Sequence, residues 1–513
     1  MIAPLKLILI IAIVFAHSCT YAQDKPGDKD EHVLDEKIEL NYKSIKIEAL
    51  LDSLHHLYNY DFSYDPSNLP VDSLVQAIYQ RQSLYHILSE LFRHYSLTFS
   101  SVRRQIMIAH HSPNAALLDY VSISGTVVSA DNNQPIPFVN IAVKGQPLGT
   151  TSNTEGDFTF LVPRKYVGQQ VILSSIAYRN DSVPIPQSDT AIIVSLQPQT
   201  IELKEIKVVL LSPYEIVKRI IENRERNYFT NPVLLTAFFR ESIKQDGKYI
   251  EVSEAAIEIF KSSYLHTHDN EEARFIKGRK KVEDKKVAVA RLKLAGGPAL
   301  FSTVDVAKHL DFIGGQNAHN YTYTYQGQDI VNDRVVYKIG FTPVSELNGI
   351  YYEGELSVDM ATFALLRAEF GMTKKTLRNS NKYLIRKNAK KVKSTPVYTR
   401  YIVDYRPYKD KWMLNSVRGD LIINMQDKRN KIKSVYEITS DMLITNARPS
   451  QGKRIRYSEA FKTKYVLADK IVDYDPDFWQ NYNVIRPEEE LENIFKQAAV
   501  EINVVPSTKK TKY

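Results

Sequence analysis

The chain has 513 residues, room for about three domains that can each bury a core of their own. Apolar residues make up 43% and charged residues 25%, and 32 Tyr with 20 Phe favour strands over helical bundles. A formal charge of +8 invites anionic partners, but past the N-terminus no stretch approaches 18 apolar residues, which excludes a helical membrane span.

Residues 1–22, MIAPLKLILIIAIVFAHSCTYA, carry one lysine, an apolar run from Leu7 to Ala16 and small residues before Ala22. The run is too short to cross a bilayer and reads as a secretory signal peptide cut after Ala22. The alternative is lipidation of Cys19, because Ala16-His17-Ser18-Cys19 is similar to a bacterial lipobox. Cys19 is the only cysteine, so a chain cleaved after Ala22 holds together by core packing without disulfides. Residues 23–37 are charged, contain Pro and Gly, and read as a flexible leader.

Residues 38–110 suggest a small α+β domain. Ile47, Leu50, Leu51, Leu54 and Leu57 recur at helical spacing behind Ser44 as a cap, and Leu84, Ile87, Leu88, Leu91 and Phe92 mark a second helix. YDFSYD reads as a short strand, and LTFSSVRRQIMIAH as a closing hairpin.

Residues 121–198 suggest a seven-stranded type of β-sandwich. Ile123, Val127, Val139, Ile141, Val143, Phe158, Phe160 and Val162 alternate in strands broken by DNNQPIP, KGQPLG and NTEGD. Gly125, Gly145, Gly149 and Gly156 fall at strand starts or turns, where a close backbone approach or an unusual dihedral calls for glycine. Asn153, Glu155 and Asp157 surround the last turn, and either turn hydrogen bonds or hard-oxygen ligation of Ca²⁺ accounts for them.

Residues 199–230 form a connection with a helix starting at Pro213, whose apolar side is Ile216, Ile220 and Ile221. Residues 231–505 then carry strand after strand without a strand-helix-strand rhythm, which predicts a large antiparallel curved sheet with packed helices near 300–312 and 487–500. The tail 506–513 reads as disordered. The expected class is therefore multidomain and mainly β.

Three resemblances follow from these stretches. IEALLDSL, YNYDFSYD, QSLYHILSELF and LTFSSVRRQIMI, in that order, resemble the short N-terminal domain of secretins and TonB-dependent receptors, a periplasmic docking module. SGTVVSADNNQPIPFVNIAVKG, GTTSNTEGDFTF and ILSSIAYRNDSVPI resemble the carboxypeptidase regulatory-like domain of Bacteroidetes outer-membrane proteins. YKIGFTP and GELSVDMATFALLRAEF are similar to a region after that domain in Bacteroidetes envelope proteins, reminiscent of the open sheet of lipoprotein carriers. The resemblances imply an address, periplasmic and beside the outer membrane, and a mode of assembly with an outer-membrane protein or envelope complex.

Chemistry is sparse. The sequence has no His-Glu-x-x-His helix, no Gly-x-Ser-x-Gly elbow and no phosphate-cradling loop, and no cofactor is expected. His266, His268 and Asp269 are the candidate metal ligands, with Glu271 or Glu272 behind them. Glu353, Glu355, Asp359 and Glu369 are the carboxylates a hydrolase would need in pairs. Tyr321, Tyr323, Tyr325, Tyr401 and Tyr405 form a candidate aromatic face for a glycan or lipid, or else the edge of a sheet core. Two basic segments, 274–293 and 374–393, hold nine Lys or Arg each. Within them Lys280, Lys281, Lys285, Lys286, Lys387, Lys390, Lys391 and Lys393 are a candidate patch for anionic lipid or an acidic partner, export arguing against nucleic acid. The expected function is a non-catalytic periplasmic scaffold or accessory protein, with a glycan- or lipid-binding transport module and a metal- or carboxylate-dependent hydrolase as alternatives.

Overall fold

The computed structural model describes residues 33–495, except 65–68, 96, 103, 111–119, 200–210, 268, 270, 283–292, 295–296, 310, 314–318, 347–348, 388–391, 429–430, 453, 457–458, 464, 472–478, 480 and 481. The signal, Cys19, His268, Lys285, Lys286, Lys390, Lys391 and the tail lie outside the described residues.

In the first module β1 (Lys37–Lys46) leads into α1 (Ile47–Tyr58), β2 (Asp61–Tyr64), β3 (Leu74–Ser83), α2 (Leu84–Leu91), β4 (Leu97–Val102) and β5 (Gln105–His110). β1 and β3 form an antiparallel ribbon, while β5 runs between β2 and β4 in a second sheet. The helical periodicity is met by burial of Ile47, Leu50, Leu51 and Leu54, and of Leu84, Ile87 and Leu88. Two details differ from expectation. Ser44 belongs to β1, and Lys46 takes the N-cap position without a side-chain bond. Leu57 is exposed in the last turn of the helix, just before its left-handed C-cap at Asn59.

The sandwich is built from β6 (Tyr120–Ser129), β7 (Asn140–Val143), β8 (Gly149–Thr151), β9 (Asp157–Pro163), β10 (Gln170–Ser174), β11 (Asp181–Pro184) and β12 (Thr190–Leu196). The sheets run β11-β10-β7-β8 and β12-β6-β9. All eight alternating apolar residues predicted to face inward share one core. A Cβ on Gly125 would sit 2.0 Å from the Ile192 carbonyl oxygen, so only glycine lets β12 lie parallel beside β6. Gly156 has φ +75° in the turn where the Asn153 side-chain oxygen accepts from the Glu155 and Asp157 amides at 3.0 and 2.8 Å. That pattern is a hydrogen-bonded Asx turn.

The C-terminal body begins with α3 (Pro213–Glu222) and α4 (Arg224–Asn227), Ser212 capping α3 through the Glu215 amide. It continues through β13 (Val233–Gln245), β14 (Lys248–Lys261), β15 (Glu272–Val282), β16 (Lys293–Leu294), α5 (Gly297–Phe301), α6 (Val306–His309), β17 (Tyr321–Val331), β18 (Arg334–Pro343), β19 (Tyr352–Asp359), β20 (Leu365–Met372), α7 (Lys374–Asn379), α8 (Asn381–Leu384), β21 (Ile385–Lys387), β22 (Val392–Tyr408), β23 (Lys411–Asp427) and β24 (Ile432–Pro449). Ten strands make one antiparallel sheet in the order β15-β14-β13-β24-β23-β22-β20-β19-β18-β17. The chain lays down β13–β15, crosses over by α5 and α6 to the far edge, and returns as a meander until β24 closes against β13.

Both faces of the sheet centre are covered. On one, Leu235, Ala237 and Phe239 of β13 share a core with Phe301, Val306 and Phe312 of the crossover, and α3 covers the same core over β17 and β19. On the other, Phe238 and Leu443 meet Trp479 and Ile485, and Val252 meets Leu491 and Phe495. The segment 454–495 also fastens the first two modules. Arg456 pairs with Asp52 at 2.8 Å, Lys470 pairs with Asp61 at 3.0 Å, and Asn483 exchanges two hydrogen bonds with the Leu161 backbone. Between the sandwich and the sheet, fully buried Arg406 donates to the Pro147 and Ile444 carbonyls, and burial lowers its pKa to about 10. Gly149 leaves the room for that guanidinium, since a Cβ there would overlap it.

Candidate functional site

The phase of β13 decides the site. Along Ala237, Phe239, Glu241 and Ile243, every second side chain faces the side covered by the crossover, and Glu241 falls between the apolar Phe239 and Ile243. Strand register carries this position across the sheet as a row, Glu241 opposite Ser440, Ser440 opposite Gly419, Gly419 opposite Tyr401, and Tyr401 opposite Phe370. The row to one side is Phe239, Met442, Val417 and Val403; the row to the other begins Ile243, Ile438 and Leu421.

Glycine at 419 lets the Phe301 ring lie directly on this row, since a Cβ there would come within 2.8 Å of it, and a pocket forms beside that contact. Leu300 and Phe301 of α5 and Leu384 of α8 roof it, while Tyr401, Leu421 and Ile438 line its floor. The result is a pocket open to solvent on one side, with about 430 Å³ of empty space when the open solvent at its mouth is counted. Tyr401 in the lining stacks on Phe370, with ring centroids 5.4 Å apart.

Glu241 is 6% exposed and lines the pocket. Burial first, then the nearby Glu251 carboxylate, pushes its carboxyl up to about 8. The remaining polar lining is Ser440 and Asp420, and no Lys, Arg or His contributes among the described residues.

Of the expected aromatic face, only Tyr401 reaches the pocket. Tyr321, Tyr323 and Tyr405 are core residues; Tyr323 donates to the Phe312 carbonyl and Tyr405 to Asp305, and Tyr325 is exposed at the sheet edge. The stripe is thus split between interior and edge by the close packing of 311–313 against β17 and β18. His266 is exposed and lies 3.7 Å from Asp269, while Glu271 and Glu272 turn to other partners, His309 with Lys308 and Arg454. Of the four carboxylates considered for hydrolysis, three are ion-paired, Glu355 with Lys338, Asp359 with Arg334 and Glu369 with Arg400, and Glu353 is exposed on β19. Lys280 donates to the Ala468 carbonyl, Lys281 is half-buried and engaged, and Lys393 is exposed; Lys387 is described in its backbone only.

Two buried ionic clusters escape a sequence reading. Lys261 bridges Asp305 at 2.6 Å and Glu271 at 3.2 Å, Lys308 reaches Glu271 at 2.6 Å, and Tyr264 and Tyr405 donate to Asp305. Burial opposes the charge on Asp305, but Lys261 and the hydroxyl donors outweigh it and hold the carboxyl below its usual range. On the opposite face Glu254 accepts from Arg240 at 2.7 Å, Arg279 at 2.6 Å and Trp479 at 3.0 Å. Each charge in these clusters is met by another from within the fold, an arrangement suited to fastening elements together.

Residues 123–208 match the model of the CarboxypepD_reg-like domain. The CarboxypepD_reg-like domain thus spans the sandwich from β6 onward. No curated protein matches the chain. Among solved structures, the chain is similar to an outer membrane lipoprotein-sorting protein domain from Vibrio parahaemolyticus, at 12% identity over 47% of this chain and 95% of that one, with a TM-score of 0.25. A DUF1329 family protein from Desulfovibrio piger matches at 14% identity over 48% and 95%, TM-score 0.22. A LolA superfamily protein from Nitrosomonas europaea matches at 13% identity over 46% and 96%, TM-score 0.19. No helix among the described residues is long and apolar enough to cross a membrane, which says nothing of a strand-built barrel.

Proposed function

We propose that this chain is a non-catalytic accessory protein of the outer envelope whose C-terminal sheet holds the apolar part of a small molecule under α5 and α8. The observation that carries this reading is the pocket beside Gly419, walled by Leu300, Phe301, Tyr401, Leu421 and Ile438. A concave apolar site with few polar groups is the usual form of a small-molecule site.

Titration with the apolar fluorophore 1-N-phenylnaphthylamine tests it. The unaltered protein is expected to enhance the dye's fluorescence with saturation, and Leu421→Trp, which fills the floor, to weaken binding about tenfold or more at an unchanged melting temperature. Non-saturating enhancement, or equal binding by the filled variant, counts against the pocket.

The envelope address rests on the resemblances of the first two modules and proposes an outer-membrane protein or envelope complex as partner. The β1–β3 ribbon supports a docking role, because Leu74 and Ile78 stand exposed on β3. Cross-linking in intact envelopes, followed by mass spectrometry, is expected to recover an outer-membrane protein through this ribbon. Cross-links confined to cytoplasmic proteins would remove the address.

A further inference from the structure

Glu241 differs from every other acid buried in the sheet centre. Glu254 has Arg240 and Arg279, Glu258 has Arg274 and Arg448, and Glu271 has Lys261 and Lys308. Glu241 has no hydrogen-bond or ion-pair partner among the described residues, although it is buried as they are. A carboxyl removed from water without a partner is costly, and the fold has met that cost elsewhere with a cation.

The surroundings say what is missing. Ser253 stands opposite Glu241 on β14, fully buried, its hydroxyl without a partner among the described residues. Ser440 stands opposite on β24 and lines the pocket. One carboxyl flanked by two hydroxyls in a single row offers acceptors to a group with several N–H donors, and an ammonium has three. The one charged side chain that acts on Glu241 from its own face is also acidic: Glu251 of β14, diagonal to it across the strand pair; Asp420, next to Gly419 on β23, turns its carboxylate to the opposite face, where it pairs with Arg418. α5 and the described side chains of α8 add no charge. An anionic head group would meet the like charge of Glu251 and, once it ionises, of Glu241, whereas a cation would supply the absent partner.

We infer, resting on the pocket reading above, that the occupant is a small amine-headed amphiphile, its ammonium paired with Glu241 and its apolar end against Phe301, Leu421 and Ile438, and that carboxylate- and phosphate-headed amphiphiles are excluded. A pH dependence follows. The empty site holds Glu241 protonated at neutral pH because burial pushes it up to about 8. Amine affinity therefore rises by up to about tenfold per pH unit from pH 6 towards 8, as the carboxyl ionises while the amine stays charged.

Displacement of 1-N-phenylnaphthylamine by octylamine, octanol and octanoate, at pH 6, 7 and 8, distinguishes the possibilities in the unaltered protein and in Glu241→Gln. The expected order at pH 8 is octylamine about tenfold tighter than octanol, with octanoate weakest. Glu241→Gln should bring octylamine level with octanol, flatten the pH profile and leave octanol binding in place. Equal binding of octylamine and octanol by the unaltered protein, or an amine preference that survives Glu241→Gln, overturns the inference while leaving the pocket standing. If octanol fails to displace the dye at all, the pocket reading falls and this inference with it.

Discussion

Lys261→Met is expected to lower the stability of the C-terminal body by about 3–5 kcal/mol, because removing one partner of a buried ion pair leaves the other charge uncompensated. Asp305 would lose its 2.6 Å partner while keeping the Tyr264 and Tyr405 hydroxyls, and Glu271 would keep Lys308. The loss falls where α6 is pinned to the end of β14, so hydrogen exchange should accelerate first at 305–309. Chemical denaturation of Lys261→Met, Asp305→Asn and the double variant measures the coupling. The double variant should recover part of the loss, and strictly additive losses would show that the pair is not coupled. The pH sign is definite. The carboxyl of Asp305 sits below its ordinary value of 3.8 in the fold, so its stabilisation is present above that value and is lost as acidification proceeds through the lower, folded value.

Glu254→Gln should be comparably damaging, again about 3–5 kcal/mol, for a related reason. It leaves Arg240 and Arg279 buried on the back of the sheet with no carboxylate between them. The ionised form of Glu254 is favoured in the fold: burial opposes it, but the two guanidiniums outweigh burial and hold the carboxyl below its usual 4.5. Arg240 also donates to the Ile485 carbonyl and Trp479 to Glu254, so the lesion should loosen 479–485 from the sheet. Trp479 fluorescence reports this directly. A red shift below the global unfolding midpoint is expected, and an unchanged emission with an unchanged midpoint would show that the cluster does not hold the segment.

Periodicity made some elements readable and pairing across distance hid others. α1 and α2 show in the sequence because their apolar residues recur every three to four positions against one small core. The sandwich shows because its strands alternate and its turns carry Gly, Pro, Asn or Asp. The closure of β24 on β13 does not show, because nothing local specifies which strand pairs with one about 200 residues away. The buried clusters are hidden for the same reason: Lys261 and Asp305 meet only through the crossover.

Glu241 is an intermediate case. Within LLTAFFRESI the run Arg240, Glu241, Ser242 reads as polar strand end, since a strand covered on both faces no longer alternates visibly. Extending the phase of Ala237 and Phe239 by one step does place Glu241 on the face that the crossover covers. What the sequence cannot supply is the identity of its neighbours, above all the glycine at 419 that lets Phe301 lie against the sheet beside it.

The tyrosines carry the complementary lesson. Tyr321, Tyr323 and Tyr325 lie at alternate positions, yet the first two enter the core and the third is at the edge. Their alternation identifies a shared strand face, and what covers that face changes along its length. Tyr401, which does reach the pocket, has no local mark separating it from Tyr405, which is buried beneath α6.

Co-crystallisation with octanol tests the central claim most directly. Density for the alkyl chain is predicted between the Phe301 ring and the floor formed by Leu421 and Ile438, beside Glu241, with the sheet unchanged. An empty site into which Phe301 or Leu300 has collapsed, or octanol found only on the outer surface, would contradict the account.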